Sequence, residues 1–119
     1  MGPLNFARKA ILLSLFVVTM GSVTAAAPAA SGKAQKIYQE NCAPCHGATG
    51  GGDGPAAAVL KPKPRNFKEG KFLYGETVAQ LKKTIKNGVN GTAMPAWGPT
   101  LKDREIEEVI QYIKLLKTP

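Results

Sequence analysis

The sequence predicts an all-α fold, and three observations carry the prediction. Three segments repeat apolar residues at i, i+3 and i+4, the period of a helix that buries one face. No segment reads as a strand with alternating polar and apolar residues. The connections are rich in glycine and proline, which break regular structure. With 119 residues the chain makes one small domain.

The first 25 residues are not expected to belong to that domain. Arg8 and Lys9 supply a positive start, Ala10 to Val18 an apolar run, and Val23-Thr24-Ala25 a small-residue cleavage pattern. This is the layout of a secretory signal peptide over 1–25. The apolar run is short against the roughly 20 residues of a spanning helix, though an uncleaved anchor stays open as an alternative. No cysteine lies near the cleavage region, which disfavours a lipid anchor. Cleavage after Ala25 would leave 94 residues and lower the formal charge from +8 to +6, through loss of Arg8 and Lys9. Residues 26–32 read as a flexible N-terminus, and 33–119 as the folded domain.

The first helix is expected from Lys33 to about Asn41, with Ala34, Ile37 and Tyr38 on one face. It delivers Cys42-Ala43-Pro44-Cys45-His46, which holds both cysteines and the only histidine of the chain. C-x-x-C-H is the attachment signature for c-type haem. Two thiols at that spacing form thioethers with one porphyrin, and the following imidazole becomes the proximal iron ligand. The competing readings are weaker. A redox dithiol expects a βαβ context, a zinc site needs a second pair of ligands, and a disulfide across two residues closes almost no loop. A thin-cored domain of this size also gains from a large apolar plate at its centre.

Gly47 to Pro55 reads as a loop passing close to the porphyrin, where side chains would clash. A phosphate-binding reading lacks the G-K-[ST] ending. Ala56 to Leu60 suits one helical turn, and Lys61-Pro62-Lys63-Pro64-Arg65 must be extended. A carbonyl of that stretch is expected to accept the Nδ1–H of His46 and fix its tautomer. Arg65 suits a haem propionate as well as it suits solvent. Glu76 to Asn87 is the second helix, with Val78, Leu81 and Ile85 inward, Lys82, Lys83 and Lys86 outward, and Gly88 as its stop. Met94 then sits in a glycine- and proline-marked loop, where a thioether can reach the iron opposite His46; packing on the haem or core is the plainer alternative. Met1 and Met20 fall in the signal segment. Trp97 is expected at the porphyrin edge or in the core. Asp103 to Leu116 is the last helix, with Ile106, Val109, Ile110, Ile113 and Leu116 in one stripe and its charges matched to the dipole.

C-A-P-C-H-G, the M-P-A-W loop and the closing helix with Tyr112 resemble a small monohaem class I c-type cytochrome over about Lys33 to Lys117. The resemblance implies the class I cytochrome c fold, three to four main helices around one covalent haem c. It implies Cys42 and Cys45 as thioether anchors, His46 as proximal and Met94 as distal ligand, and terminal helices that cross near Tyr38 and Tyr112. Two positions depart from the family pattern. Ala34 stands where glycine is common, and Lys102 where a Ser or Thr cap is usual, at about 1 kcal/mol of helix stability.

The function expected is a periplasmic one-electron carrier of a respiratory chain, not an enzyme. His/Met ligation fills both axial positions and raises the potential. Net positive charge, with Lys61, Lys63, Lys82, Lys83 and Lys86 as candidates, steers a monomeric carrier to acidic surfaces on transient redox partners. A haem enzyme or gas sensor needs an open distal site with polar groups, and the chain has no second histidine. A nucleic-acid module expects stacking aromatics among its basic residues, and stable membrane insertion is not expected.

Overall fold

The computed structural model describes residue 2 and residues 30–118. Apart from Gly2, the signal segment expected at 1–25, with Met1 and Met20, and the expected flexible stretch up to residue 29 lie outside the described residues. Among the described residues there are four α-helices: α1 Gly32–Asn41, α2 Ala43–His46, α3 Val78–Asn87 and α4 Asp103–Leu115. Two 3₁₀ turns, Ala57–Val59 and Phe67–Glu69, complete the set, and no strand occurs among these residues. The all-α expectation holds.

Helix α1 starts one residue earlier than the periodicity indicates, because Ser31 caps it. The Ser31 Oγ accepts the Ala34 N–H at 3.1 Å, which satisfies one of the four orphan donors of a helix start. Ala34, Ile37 and Tyr38 are the buried face. They meet α4, whose Ile106, Val109, Ile110 and Ile113 are all buried; each such side chain is worth about 1.5–3 kcal/mol. Ala34 is wholly enclosed. The Tyr38 and Tyr112 rings lie 5.1 Å apart, so the two helices meet where the resemblance puts them.

Helix α3 begins at Val78 rather than Glu76, and the reason is a capping box. Thr77 Oγ1 accepts the Gln80 N–H at 3.2 Å, and Gln80 Oε1 accepts the Thr77 N–H at 3.2 Å. Gly88 ends the helix at φ +69°. A Cβ there would run into Pro95 and the Met94 carbonyl, so the glycine also lets the next loop fold back on the helix. Helix α4 starts without a side-chain cap at Lys102, as expected. Glu105 partly compensates, accepting the Lys102 N–H at 3.0 Å and pairing with Lys33 at 2.9 Å.

The face of α3 that was expected to be solvated is tied to α4. Lys82 lies 2.7 Å from Glu107 and 3.1 Å from Asp103, and Lys86 lies 2.7 Å from Asp103. Only Lys83 of the three lysines forms no ion pair among the described residues. The Phe67–Glu69 turn has no periodic signal in the sequence. It is set by Asn66, whose Oδ1 accepts the Lys68 N–H at 3.0 Å, and closed by the left-handed Gly70.

Candidate functional site

Helix α1 hands directly over to the motif. The Cys42 N–H still bonds the Tyr38 carbonyl at 2.8 Å, and the His46 N–H closes a fresh turn onto the Cys42 carbonyl at 2.8 Å. Pro44 falls in the first turn of α2, where a missing N–H costs nothing. Cys42, Cys45 and His46 are therefore at i, i+3 and i+4 of helical backbone, the spacing that shares a face, and all three line one cavity of about 580 Å³.

The glycine-rich stretch wraps the outside of this turn. The N–H groups of Gly52, Gly54 and Ala56 donate to the carbonyls of His46, Cys45 and Pro44 at 2.7, 3.1 and 3.0 Å. A Cβ on Gly54 would strike the Ala43 and Pro44 carbonyls. This corrects the expectation of a loop against the porphyrin: no residue from 47 to 59 lines the cavity. The glycines are needed for close approach to the motif's own backbone. Tyr38 fastens the same turn from within, its buried hydroxyl donating to the Gly47 carbonyl at 2.8 Å.

His46 is held from two directions. Its Nδ1 lies 3.0 Å from the Arg65 carbonyl. A carbonyl can only accept, so Nδ1 carries the proton and the other ring nitrogen presents a lone pair. The expected carbonyl is thus that of Arg65, at the end of the proline stretch. The Phe67 ring stacks on the imidazole, centroids 4.4 Å apart and planes 17° off parallel. Burial pushes the His46 pKa down, with the Arg65 bond opposing in part; the ring is neutral at neutral pH, as a metal ligand must be. Burial, and then the neighbouring Cys45, push the Cys42 thiol up to about 11. The two cysteines form no disulfide with each other.

Met94 lines the same cavity, held by a small hydrogen-bonded loop. Thr92 Oγ1 donates to the Val89 carbonyl at 2.8 Å and accepts the Met94 N–H at 3.1 Å. The Val89 N–H donates to the Met94 carbonyl at 3.2 Å. The Trp97 N–H bonds the Ile85 carbonyl at 3.0 Å, which anchors the loop's far end to α3. Trp97 is half-buried and lines the cavity, as do Phe67, Phe72, Leu81, Ile85, Ile110 and Ile113.

Two thiols, a neutral imidazole and a thioether thus converge on one apolar cavity within the 300–1,000 Å³ range of cofactor sites. The donor set and the apolar lining fit a flat tetrapyrrole held covalently on one wall. The sequence did not reveal Phe67, Leu73 or Tyr74 as lining residues, since none lies in a periodic segment.

A family model described as "Cytochrome C oxidase, cbb3-type, subunit III" matches residues 29–113. The chain is 37% identical over 98 residues to the cbb3-type cytochrome c oxidase subunit FixP of Azorhizobium caulinodans, covering 80% of this chain and 31% of that protein. It is 33% identical over 116 residues to cytochrome c55X of Paracoccus denitrificans, covering 94% of this chain and 96% of that protein. The chain therefore spans about a third of the FixP subunit and nearly all of cytochrome c55X. Among solved structures, a reducing HAO-like protein complex of Kuenenia stuttgartiensis aligns with TM-score 0.71 and 30% identity, over 75% of this chain and 43% of the other. Cytochrome c6 of the diatom Phaeodactylum tricornutum aligns with TM-score 0.54 and 28% identity, over 71% and 90%.

Proposed function

The chain belongs to the family of cbb3-type cytochrome c oxidase subunit III, and we propose that it is a periplasmic one-electron carrier with His46 and Met94 as axial iron ligands. It is a c-type cytochrome domain, with a covalently bound haem c as cofactor and electron transfer as its chemistry. The finer reading assigns Cys42 and Cys45 to the two thioethers. Residues 1–25 are the export signal in this reading, and 33–119 the cytochrome domain. The observation that carries it is the convergence of Cys42, Cys45, His46 and Met94 on one apolar cavity.

When bound, the haem supplies an iron that cycles between two oxidation states one electron apart. The chain's part is to hold the axial donors ready. The Arg65 carbonyl keeps the His46 proton on Nδ1, and the Thr92 clamp keeps Met94 in place, so little rearranges when an electron arrives. The apolar lining disfavours added charge and so favours the reduced state. A filled pair of axial positions leaves no room for a substrate, which supports a carrier over an enzyme.

The docking surface follows from the ion pairs. Lys82 and Lys86 are engaged with α4, so they offer a partner little net charge. Lys61 and Lys63 are exposed and form no ion pair among the described residues, and Lys63 borders the cavity. In this reading acidic partners approach along the 60–65 segment, through the weak, small interface that transient redox encounters use. In this reading the carrier diffuses between its partners and meets each one briefly. The family match favours a second arrangement, in which the domain is docked within an oxidase complex.

The test is the optical spectrum of purified holoprotein, oxidised and reduced. A weak sulfur-to-iron charge-transfer band in the oxidised form, lost in Met94→His, supports the assignment. A high-spin spectrum with immediate carbon monoxide binding to the reduced form would mean an open iron site and would replace the carrier by an enzyme or sensor.

A further inference from the structure

We propose that Phe67 is a positioning residue that fixes the rotational setting of the His46 imidazole plane, and through it the electronic asymmetry of the iron. The inference rests on the reading of His46 as an axial ligand and adds a residue to it.

A histidine ring has one soft torsion once its backbone and χ1 are set. That torsion, χ2, is sp³–sp² and broad, with no deep staggered wells. The Arg65 carbonyl restrains it through the Nδ1 bond at 3.0 Å. A hydrogen bond of that kind tolerates tens of degrees of misalignment before it weakens steeply, so the ring keeps freedom to rock about the Nδ1···O line. Rocking of this sort turns the ring plane while leaving the bond intact.

The stack blocks that rocking. Phe67 lies face to face with the imidazole, 4.4 Å between centroids and 17° between planes. A turn of the imidazole in either direction drives one edge into the phenyl face. Phe67 cannot itself yield, because its ring is enclosed. It is 7% exposed, with Phe72 stacked at 5.9 Å and Tyr38 edge-on at 6.4 Å. Its backbone is pinned as well, the Phe67 N–H donating to the Gly50 carbonyl at 2.7 Å. The left-handed Gly70 closes the 3₁₀ turn behind it.

Two restraints of different kind therefore meet on one ring. The hydrogen bond lies in the ring plane and selects the tautomer. The stack acts perpendicular to the plane and selects its angle. An aliphatic side chain at 67 could fill the same volume, but it has no flat face to impose an angle. The plane of an axial imidazole decides which iron d-orbital its π-electrons raise, so its angle is readable in the paramagnetic oxidised form.

The experiment compares oxidised wild-type, Phe67→Leu and Phe67→Tyr holoproteins by proton NMR of the hyperfine-shifted haem methyls and by low-temperature EPR. In wild-type protein, nuclear Overhauser effects between the His46 and Phe67 rings are expected. Phe67→Leu should change the spread or order of the methyl shifts and broaden the EPR signal. Phe67→Tyr, which keeps the flat ring, should restore the wild-type pattern. Phe67→Leu with a wild-type methyl pattern would overturn the proposal. So would Phe67→Tyr moving the pattern as far as Leu does, because volume and not ring plane would then be responsible. If Phe67→Leu fails to fold, the wild-type ring-to-ring effects decide, and their absence overturns it. Failure of the underlying reading looks different: the His46 ring protons would then show no hyperfine shift at all.

Discussion

Thr92→Val should loosen Met94 while leaving the rest of the domain intact. The threonine hydroxyl makes two bonds across the loop, to the Val89 carbonyl at 2.8 Å and from the Met94 N–H at 3.1 Å. Valine keeps the shape and loses both. The Val89 carbonyl retains the Thr92 backbone N–H at 3.2 Å, so its loss is small, while the Met94 N–H is left without a protein partner. Each net bond is worth about 0.5–1.5 kcal/mol, and partial exposure lets water replace part of it. The sum is about 1–2 kcal/mol, concentrated in the segment that presents Met94. The assay is titration of oxidised holoprotein with imidazole, which must displace the methionine sulfur to bind. A loss of 1–2 kcal/mol from the closed loop raises the apparent affinity about 5- to 30-fold. Thr92→Ser, which keeps the hydroxyl, should stay within about threefold of wild type by the same arithmetic. The reasoning fails if folded Thr92→Val binds imidazole no more tightly than wild type.

Two further outcomes follow from charge. Lys61→Gln/Lys63→Gln should slow electron transfer from reduced protein to hexacyanoferrate(III), a trianion, by about threefold or more at low ionic strength, and flatten the salt dependence. Lys82→Gln/Lys86→Gln removes the same formal charge from the α3–α4 network and should change the rate less; an equal or larger drop there would sink the assignment of the docking edge. On pH, hydrogen bonds from Lys86 and Lys82 hold the Asp103 carboxyl below its ordinary range, and the Lys102 N–H with Lys33 does the same for Glu105. A carboxyl lowered by folding stabilises the native state above its unfolded pKa, and that contribution disappears as pH falls through the lowered folded value. Asp103→Asn/Glu105→Gln should therefore unfold more readily than wild type at neutral pH and converge with it in acid. Because Asp103 is exposed and Glu105 only half-buried, the gap should shrink in high salt. A gap that persists unchanged at low pH would refute the linkage.

What the sequence made legible was local. The three long helices follow from the 3.6-residue period of Ile37 and Tyr38, of Leu81 and Ile85, and of Ile106 through Ile113. Helix starts moved only where a cap competed, at Ser31 and at Thr77 with Gln80. The proposed donors Cys42, Cys45, His46 and Met94, which line one cavity, were readable because each carries its chemistry in its own side chain and its immediate spacing. The illegible part was set by which surfaces meet. Lys82 and Lys86 look like a solvated stripe until α4 brings Asp103 and Glu107 opposite them. The Gly47–Pro55 stretch asks for close approach, but composition does not say to what, and the partner is the motif's own carbonyls.

His46 shows where the division falls. Its proposed role as a donor rests on five consecutive residues. Its tautomer depends on a carbonyl 19 residues away, and any residue type could have supplied that group, since every residue has one. Its plane depends on Phe67, whose position is fixed by Gly50, Gly70, Tyr38 and Phe72 acting from separate parts of the chain. Backbone carbonyls and stacking faces leave no trace in spacing or composition. A motif therefore announces which group can bind, and the fold around it decides how that group is aimed. Relatives that share C-x-x-C-H can differ in electronic character through residues such as Phe67 that lie outside the signature.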